Sequence, residues 1–301
     1  MRATLVLTSS LFLAATARAE NPFVIEADLQ PRVQAGRIVI DAIDHTSQQV
    51  ISNVRTFGWE FGEGLDPYLI QDPGFDVEAD SGLPAGSQVG FNVSQNLLYW
   101  PGGASVSFGG TAGGESLHLN FGGGTVSIAA HSPPQSGFNF LTISAGGTGH
   151  RHLNSFLVAG PEHEPAEGVY FTSIRVTSTG GAAASDPVWL VYNNGATPAD
   201  FDRALDAIAN PFGGDANYSG RVDIADFSIL AANFNSGGER FWFDGDFNGD
   251  RAVNIGDFSI LAANFNQDAP APAPRGGAVP EPGAAAMLLG ATLICRRRRC
   301  R

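Results

Sequence analysis

The 301-residue chain contains no lysine; all 17 of its basic residues are arginine, set against 30 acids, and only 16% of its residues are charged. It has two cysteines, Cys295 and Cys300, both close to the C-terminus. The long stretch before them therefore forms no disulfide. No run reaches the roughly 20 apolar residues that a membrane-spanning helix needs. There is no G-x-S-x-G, no H-E-x-x-H and no glycine loop cradling a phosphate ahead of a helix. Gly122 to Thr125 and Gly146 to Gly149 read instead as hairpin turns. Paired carboxylates beside aromatics, as in Trp59-Glu60-Phe61-Gly62-Glu63 with Asp66 and Asp76, offer a glycosidase-like composition, but an acidic loop explains them as well.

Glycine (38) and proline (18) are abundant, and the charge is uneven. Residues 1–19 hold two arginines and residues 283–301 hold five, with no acid in either stretch. Between them ten arginines face 30 acids, a net of about −20. Such a surface repels phosphate backbones, so no nucleic-acid partner is expected, whereas divalent cations suit it.

Both ends read as addresses. Residues 1–19 are expected to be a signal peptide, with Arg2, an apolar stretch from Leu5 to Ala15 and an A-x-A site at Ala17-Arg18-Ala19. Residues 279–301 run from Val279-Pro280-Glu281-Pro282 through an apolar stretch, Ala284 to Cys295, into Arg296 to Arg299. This resembles the PEP-CTERM sorting signal. The resemblance implies an exosortase-type processing enzyme as partner, transient membrane association through the tail, and a place at the cell surface or in the extracellular matrix. A Pro-rich linker, residues 268–278, precedes it.

Upstream lies an internal repeat with an offset of 31 residues. Gly214 to Asn235 aligns with Gly245 to Asn266, and Phe227 to Asn235 is identical to Phe258 to Asn266. Each copy opens with an oxygen-rich loop. Asp215, Asn217, Ser219, Asp223 and Asp226 stand at positions 1, 3, 5, 9 and 12 of the first; Asp246, Asn248, Asp250, Asn254 and Asp257 stand at the same positions of the second. Calcium takes six to eight oxygens, and alternate loop positions converge on one point. Position 7, Arg221 or Ala252, would add its carbonyl. Val222 and Val253, at position 8, are expected to pair with each other across a short β-bridge. Phe227, Leu230, Ala231 and Phe234, with their counterparts, give each following helix an apolar face.

These two copies of a loop–helix unit resemble the type I dockerin family over about residues 214–266. The resemblance implies a small all-α module folded by two calcium ions, with a cohesin-like domain as partner. The chain departs from the family pattern at Arg251, where position 6 prefers glycine, at Ser219, where an acid is usual, and at Ile224-Ala225 and Ile255-Gly256, which lack hydroxyls. Removing calcium is expected to unfold 214–266 while leaving the rest folded.

Residues 20–209 offer short alternating or apolar runs bounded by Gly, Pro and Asn, so the expectation is mainly β: an N-terminal β-sandwich followed by the module at 210–267. Expected strands include Gly36 to Ile40, Phe57 to Phe61, Val89 to Trp100, Ser105 to Phe108, Ser116 to Phe121, His152 to Leu157, Val169 to Thr177 and Val188 to Tyr192. Pro198 to Ala209 is the helix candidate, with Pro near its start, and residues 210–214 read as the boundary. Within this body, His150 and His152 would share one face of a strand, a two-toothed start for zinc that His163 could complete. His150-x-His152 with Gly168-Val169-Tyr170 also resembles secreted surface domains linked with zinc or manganese acquisition. The resulting expectation is an exported, non-enzymatic surface protein. The alternatives are a carbohydrate-binding or polysaccharide-degrading protein acting on envelope polysaccharide, and a zinc-binding surface protein.

Overall fold

A computed structural model describes residues 21–44, 49–62, 64–160 and 163–270. The signal-peptide, sorting-tail and most linker residues, with both cysteines, lie outside that set. The described chain is mainly β. Its largest sheet has six strands in the order Phe23–Ile25 (β1), Thr56–Glu60 (β5), Val188–Asn194 (β15), Gly168–Ser178 (β14), Gln88–Trp100 (β8) and Gln135–Thr142 (β11). A five-stranded sheet runs Gly149–His152 (β12), Gly74–Val77 (β7), Asp28–Gln34 (β2), Arg37–Asp44 (β3) and Gln49–Ile51 (β4). A four-stranded sheet runs Gly124–Ala129 (β10), Ser116–Phe121 (β9), Asn154–Val158 (β13) and Leu69–Ile70 (β6). The β1–β5, β5–β15 and β2–β7 pairs are parallel; the other pairings are antiparallel.

One apolar core joins the three sheets. Phe57, Trp59, Tyr170 and Tyr192 from the six-stranded sheet meet Leu29, Ile38 and Phe75 from the five-stranded one and Leu117 and Ile128 from the four-stranded one. Strands β14 and β15 are buried on both faces, which is why they read as continuous apolar runs rather than alternating ones. Their second face is covered by the helix Pro198–Ala209 (α1), where Phe201, Leu205 and Ile208 pack on Val169, Phe171 and Val191. Each such side chain contributes roughly 1.5–3 kcal/mol by leaving water. Thr197 caps the helix by accepting a hydrogen bond from the Asp200 amide, and Pro198 occupies the first turn, where its missing N–H is harmless.

Two helices follow, Ile224–Asn233 (α2) and Ile255–Asn264 (α3), each entered from one of the repeated loops through a capping box: Asp223 with Asp226, and Asn254 with Asp257. Val222 and Val253 do not pair with each other. Val222 exchanges hydrogen bonds with Asn266 and Gln267 just beyond α3, and the Val253 carbonyl accepts from Asn235 just beyond α2. Each loop is thus tied to the end of the other copy's helix. Leu230 and Leu261 are buried, but Ala231, Phe227, Phe234, Phe258 and Phe265 are not, so the apolar face is narrower than the helical spacing suggests.

Residues 210–214 carry the chain from α1 straight into the first loop, and the described residues form one compact unit. The loop pair is packed on the β body rather than strung after it. Tyr218 joins the cluster of Phe108, Phe171 and Trp189, and its carbonyl accepts from the Phe108 amide. No described helix is long and apolar enough to cross a membrane.

Candidate metal centres

The first centre begins with four aspartates that the repeat buries in matched pairs. Asp215 and Asp246 are 4% exposed, and Asp226 and Asp257 are fully buried. None of the four is paired with an arginine among the described residues. Backbone amides hold them in place instead. Ser219 and Gly220 donate to the two oxygens of Asp215, both at 2.9 Å, while Asp250 and Arg251 donate to Asp246 at 3.2 and 2.9 Å. Asp226 accepts from Ala216, Asn217 and Asp223, and Asp257 accepts from Phe247, Asn248 and Asn254. These bonds fold each loop around its own first and last carboxylates. A carboxylate offers about four lone-pair positions, so capacity for a cation remains.

Side chains at the intervening positions fall in the same place. Asn217 and Asn248 accept from the amides of Ser219 and Asp250, both at 2.9 Å. Asp246, Asp250 and Asp257 each present an oxygen within 4.8 Å of the others. In the first loop Ser219 replaces the third acid and turns its hydroxyl to the Arg221 carbonyl at 3.1 Å. Burial, with the neighbouring Asp226 charge, pushes the Asp215 carboxyl up to about 7. Burial likewise pushes Asp226 and Asp246 above the usual carboxylate range. Carboxylates that burial disfavours and that form no direct ion pair with an arginine are suited to a divalent cation. Oxygen donors alone, from Asp215, Asn217, Ser219, Asp223 and Asp226 or from Asp246, Asn248, Asp250, Asn254 and Asp257, fit calcium.

Position 6 differs between the copies, and the β body explains the difference. Gly220 and Arg251 both have positive φ, +77° and +68°. A Cβ on Gly220 would lie 2.4 Å from the Val106 carbonyl, so glycine alone fits. Arg251 has room, and its guanidinium grips Asp186 through two bonds of 3.0 Å. Glu239 lies between Arg37 and Arg175, the latter at 2.6 Å, and extends the same network. Burial pushes the Asp186 carboxyl up, but the Arg251 hydrogen bonds, with Arg55 and Arg37 nearby, hold it below the ordinary range.

The second grouping is on the β body. His150 and His152 come from β12, as the alternation of the strand requires, and their Nε2 atoms are 3.0 Å apart. The third residue in reach is Asp28 of β2, not His163. After Leu153 the chain leaves the five-stranded sheet for β13 of the four-stranded one, which carries His163 away to an exposed position. Asp76 lies 3.7 Å from His150 Nδ1, and Asp72 lies 3.3 Å from His152 Nδ1. The Asp72 hydrogen bond, working against burial, pushes the His152 imidazole up to about 9. Glu60 and Asp66 line an open cleft of about 590 Å³ with Trp59, Leu69 and Gln71. Asp76 is not among the residues lining that cleft.

No family model matches the chain, and no curated protein matches it. Among solved structures, a mutant of the CFA/I adhesin CfaE from enterotoxigenic E. coli is similar at 12% identity, with a TM-score of 0.19, covering 61% of this chain and 48% of the adhesin. The chain thus spans about half the length of that structure, and a likeness at this TM-score carries no argument.

Proposed function

We propose that this is an exported, non-enzymatic surface protein: a β-sandwich body carrying a dockerin-like pair of calcium loops that calcium fixes to it. The observation that carries the reading is the matched burial of Asp215, Asp226, Asp246 and Asp257 without an arginine ion pair, in two loops of which the second brings Asp246, Asp250 and Asp257 oxygens within 4.8 Å of one another. Four buried carboxylates are costly without cations and favourable with them. A structural role for the ions is supported by Tyr218 and Arg251, loop residues that themselves touch the body. Export, and a place at the cell surface or in the matrix, are supported by the signal-like residues 1–19 and the PEP-CTERM-like residues 279–301. A cohesin-like partner is the weaker half of the dockerin likeness, because positions 10 and 11 carry Ile224-Ala225 and Ile255-Gly256.

The test is calcium stoichiometry on the purified chain by isothermal titration after chelator treatment. Two calcium ions per chain are expected, falling to one in Asp226→Ala or Asp257→Ala. A chain that binds no calcium at millimolar concentration would end the reading.

A further inference from the structure

The histidine grouping on the β body is built by three adjacent strands. Antiparallel pairing sets His150 opposite Asp76 and His152 opposite Gly74, and β2 runs parallel to β7 on its other side with Leu29 opposite Phe75. Asp28, Gly74 and His152 therefore form one row across the sheet. Gly74 is what lets the outer two meet: a Cβ there would lie 2.2 Å from Asp28 Oδ1 and 2.7 Å from His152 Cε1. A bare strand position between two ligating side chains is a space shaped for their approach.

We infer that Asp28, His150 and His152 hold one divalent cation of the borderline class that accepts imidazole nitrogen, zinc being the type case, with Asp76 as the adjacent carboxylate. One donor atom from each of the three lies within 4.8 Å of the others. The Asp28 carboxylate is 3.7 Å from His150 Nδ1 and 3.9 Å from His152 Nε2, and its side chain is only 8% exposed. Ligands at about 2.0–2.2 Å from a tetrahedral ion sit roughly 3–3.5 Å from one another, so small side-chain shifts close the shell. The outer side of the site is already set. His152 Nδ1 donates to the Gln71 carbonyl at 2.7 Å, which leaves Nε2 with its lone pair turned towards His150. His150 is half-exposed, giving the ion an entry path and an open coordination position. Two nitrogens among three donors select against calcium, which wants six or more oxygens. The site and the loops therefore sort two metals by donor type.

The test titrates zinc chloride into the chelator-stripped chain held in excess calcium, so that the loops are filled and the two readings stay separable. One zinc per chain is expected. Affinity should fall at least about tenfold in His150→Gln and in Asp28→Asn, with calcium content unchanged, and stay as it is in His163→Ala. Because the His150 side chain is half-exposed, its replacement leaves the fold intact, which the thermal midpoint in calcium checks. Cobalt(II) gives a second readout, a low-coordinate visible absorption that His150→Gln abolishes. Absence of stoichiometric zinc binding would overturn the assignment. So would zinc retained in full by His150→Gln, or by Asp28→Asn in its folded form.

Discussion

The two loop copies agree at five of twelve positions and share the hydrogen bonds that hold their first and last carboxylates, yet they meet the β body by opposite means. The first copy uses position 4: Tyr218, in the left-handed region at φ +58°, buries its ring beside Phe171 and Phe108, while position 6 is bare Gly220 against the Val106 carbonyl. The second copy is bare at position 4, Gly249, and reaches out from position 6 with Arg251 to Asp186. Positions 1, 3 and 12, which hold the buried aspartates and the asparagine between them, are kept alike, and positions 4 and 6, which face the body, have specialised. Two different kinds of attachment follow, one apolar and one ionic. Arg251, a departure from a glycine-preferring position when the loop is considered alone, is a docking residue when the body is present.

Removing an ion is the largest way to break the symmetry. Asp226→Ala should lose the first ion, and with free calcium a thousandfold above its Kd this amounts to about 4 kcal/mol of calcium-linked stability. Because Tyr218 belongs to the body's own packing, the melting transition of the whole described unit should move, not a separate transition for 214–266. Differential scanning calorimetry with and without chelator reads this; an unchanged main transition beside a lost small one would show the loops to be independent.

The same ion dependence has a pH signature. Asp215 titrates in the folded chain near 7, above its ordinary value, so the ion-free folded state favours the protonated form. Its contribution is therefore full below the unfolded carboxylate range and is lost as pH rises through about 7. Chelated protein should melt lower at pH 8 than at pH 5, and calcium should remove that slope. Asp186 and Glu239, held low by their arginines, act in the opposite sense and lose their contribution only in stronger acid.

Tyr218→Ala should cost about 3 kcal/mol by opening a cavity under the first loop. Smaller effects come from exchanging the position-6 residues. Gly220→Arg should cost about 2 kcal/mol, because the new side chain begins against Val106. Arg251→Gly should cost under about 1 kcal/mol, since the Arg251 side chain is 41% exposed and its ion pair is screened. Urea midpoints in saturating calcium rank the three. Equal losses from Gly220→Arg and Arg251→Gly would deny the two modes of attachment.

Much of this was legible in the residues themselves. The fixed offset and the alternating oxygens mark the loops, and capping chemistry with apolar spacing marks α1 and strands such as β9, β14 and β15. Ser105 to Phe108 reads as a strand but forms none, since its backbone is taken up by Tyr218 and the turn around it. Strand β2 was hidden by Pro31 at its centre, a residue that cannot donate to a ladder, and β7 is only four residues long. Those two strands supply Asp28, Gly74 and Asp76, so the histidine site could be read only by half. His163 is close along the chain, but strand pairing decides what is close in space, and the switch of sheets after Leu153 takes it elsewhere.

The central question is whether the four buried aspartates hold calcium. Calcium titration of the wild-type chain beside Asp215→Asn/Asp246→Asn, which keeps the shapes but removes both position-1 charges, decides it. Two ions per chain in the wild type and at least a tenfold loss of affinity at both sites in the variant are predicted. Equal calcium binding by the two proteins, or none by either, would contradict it.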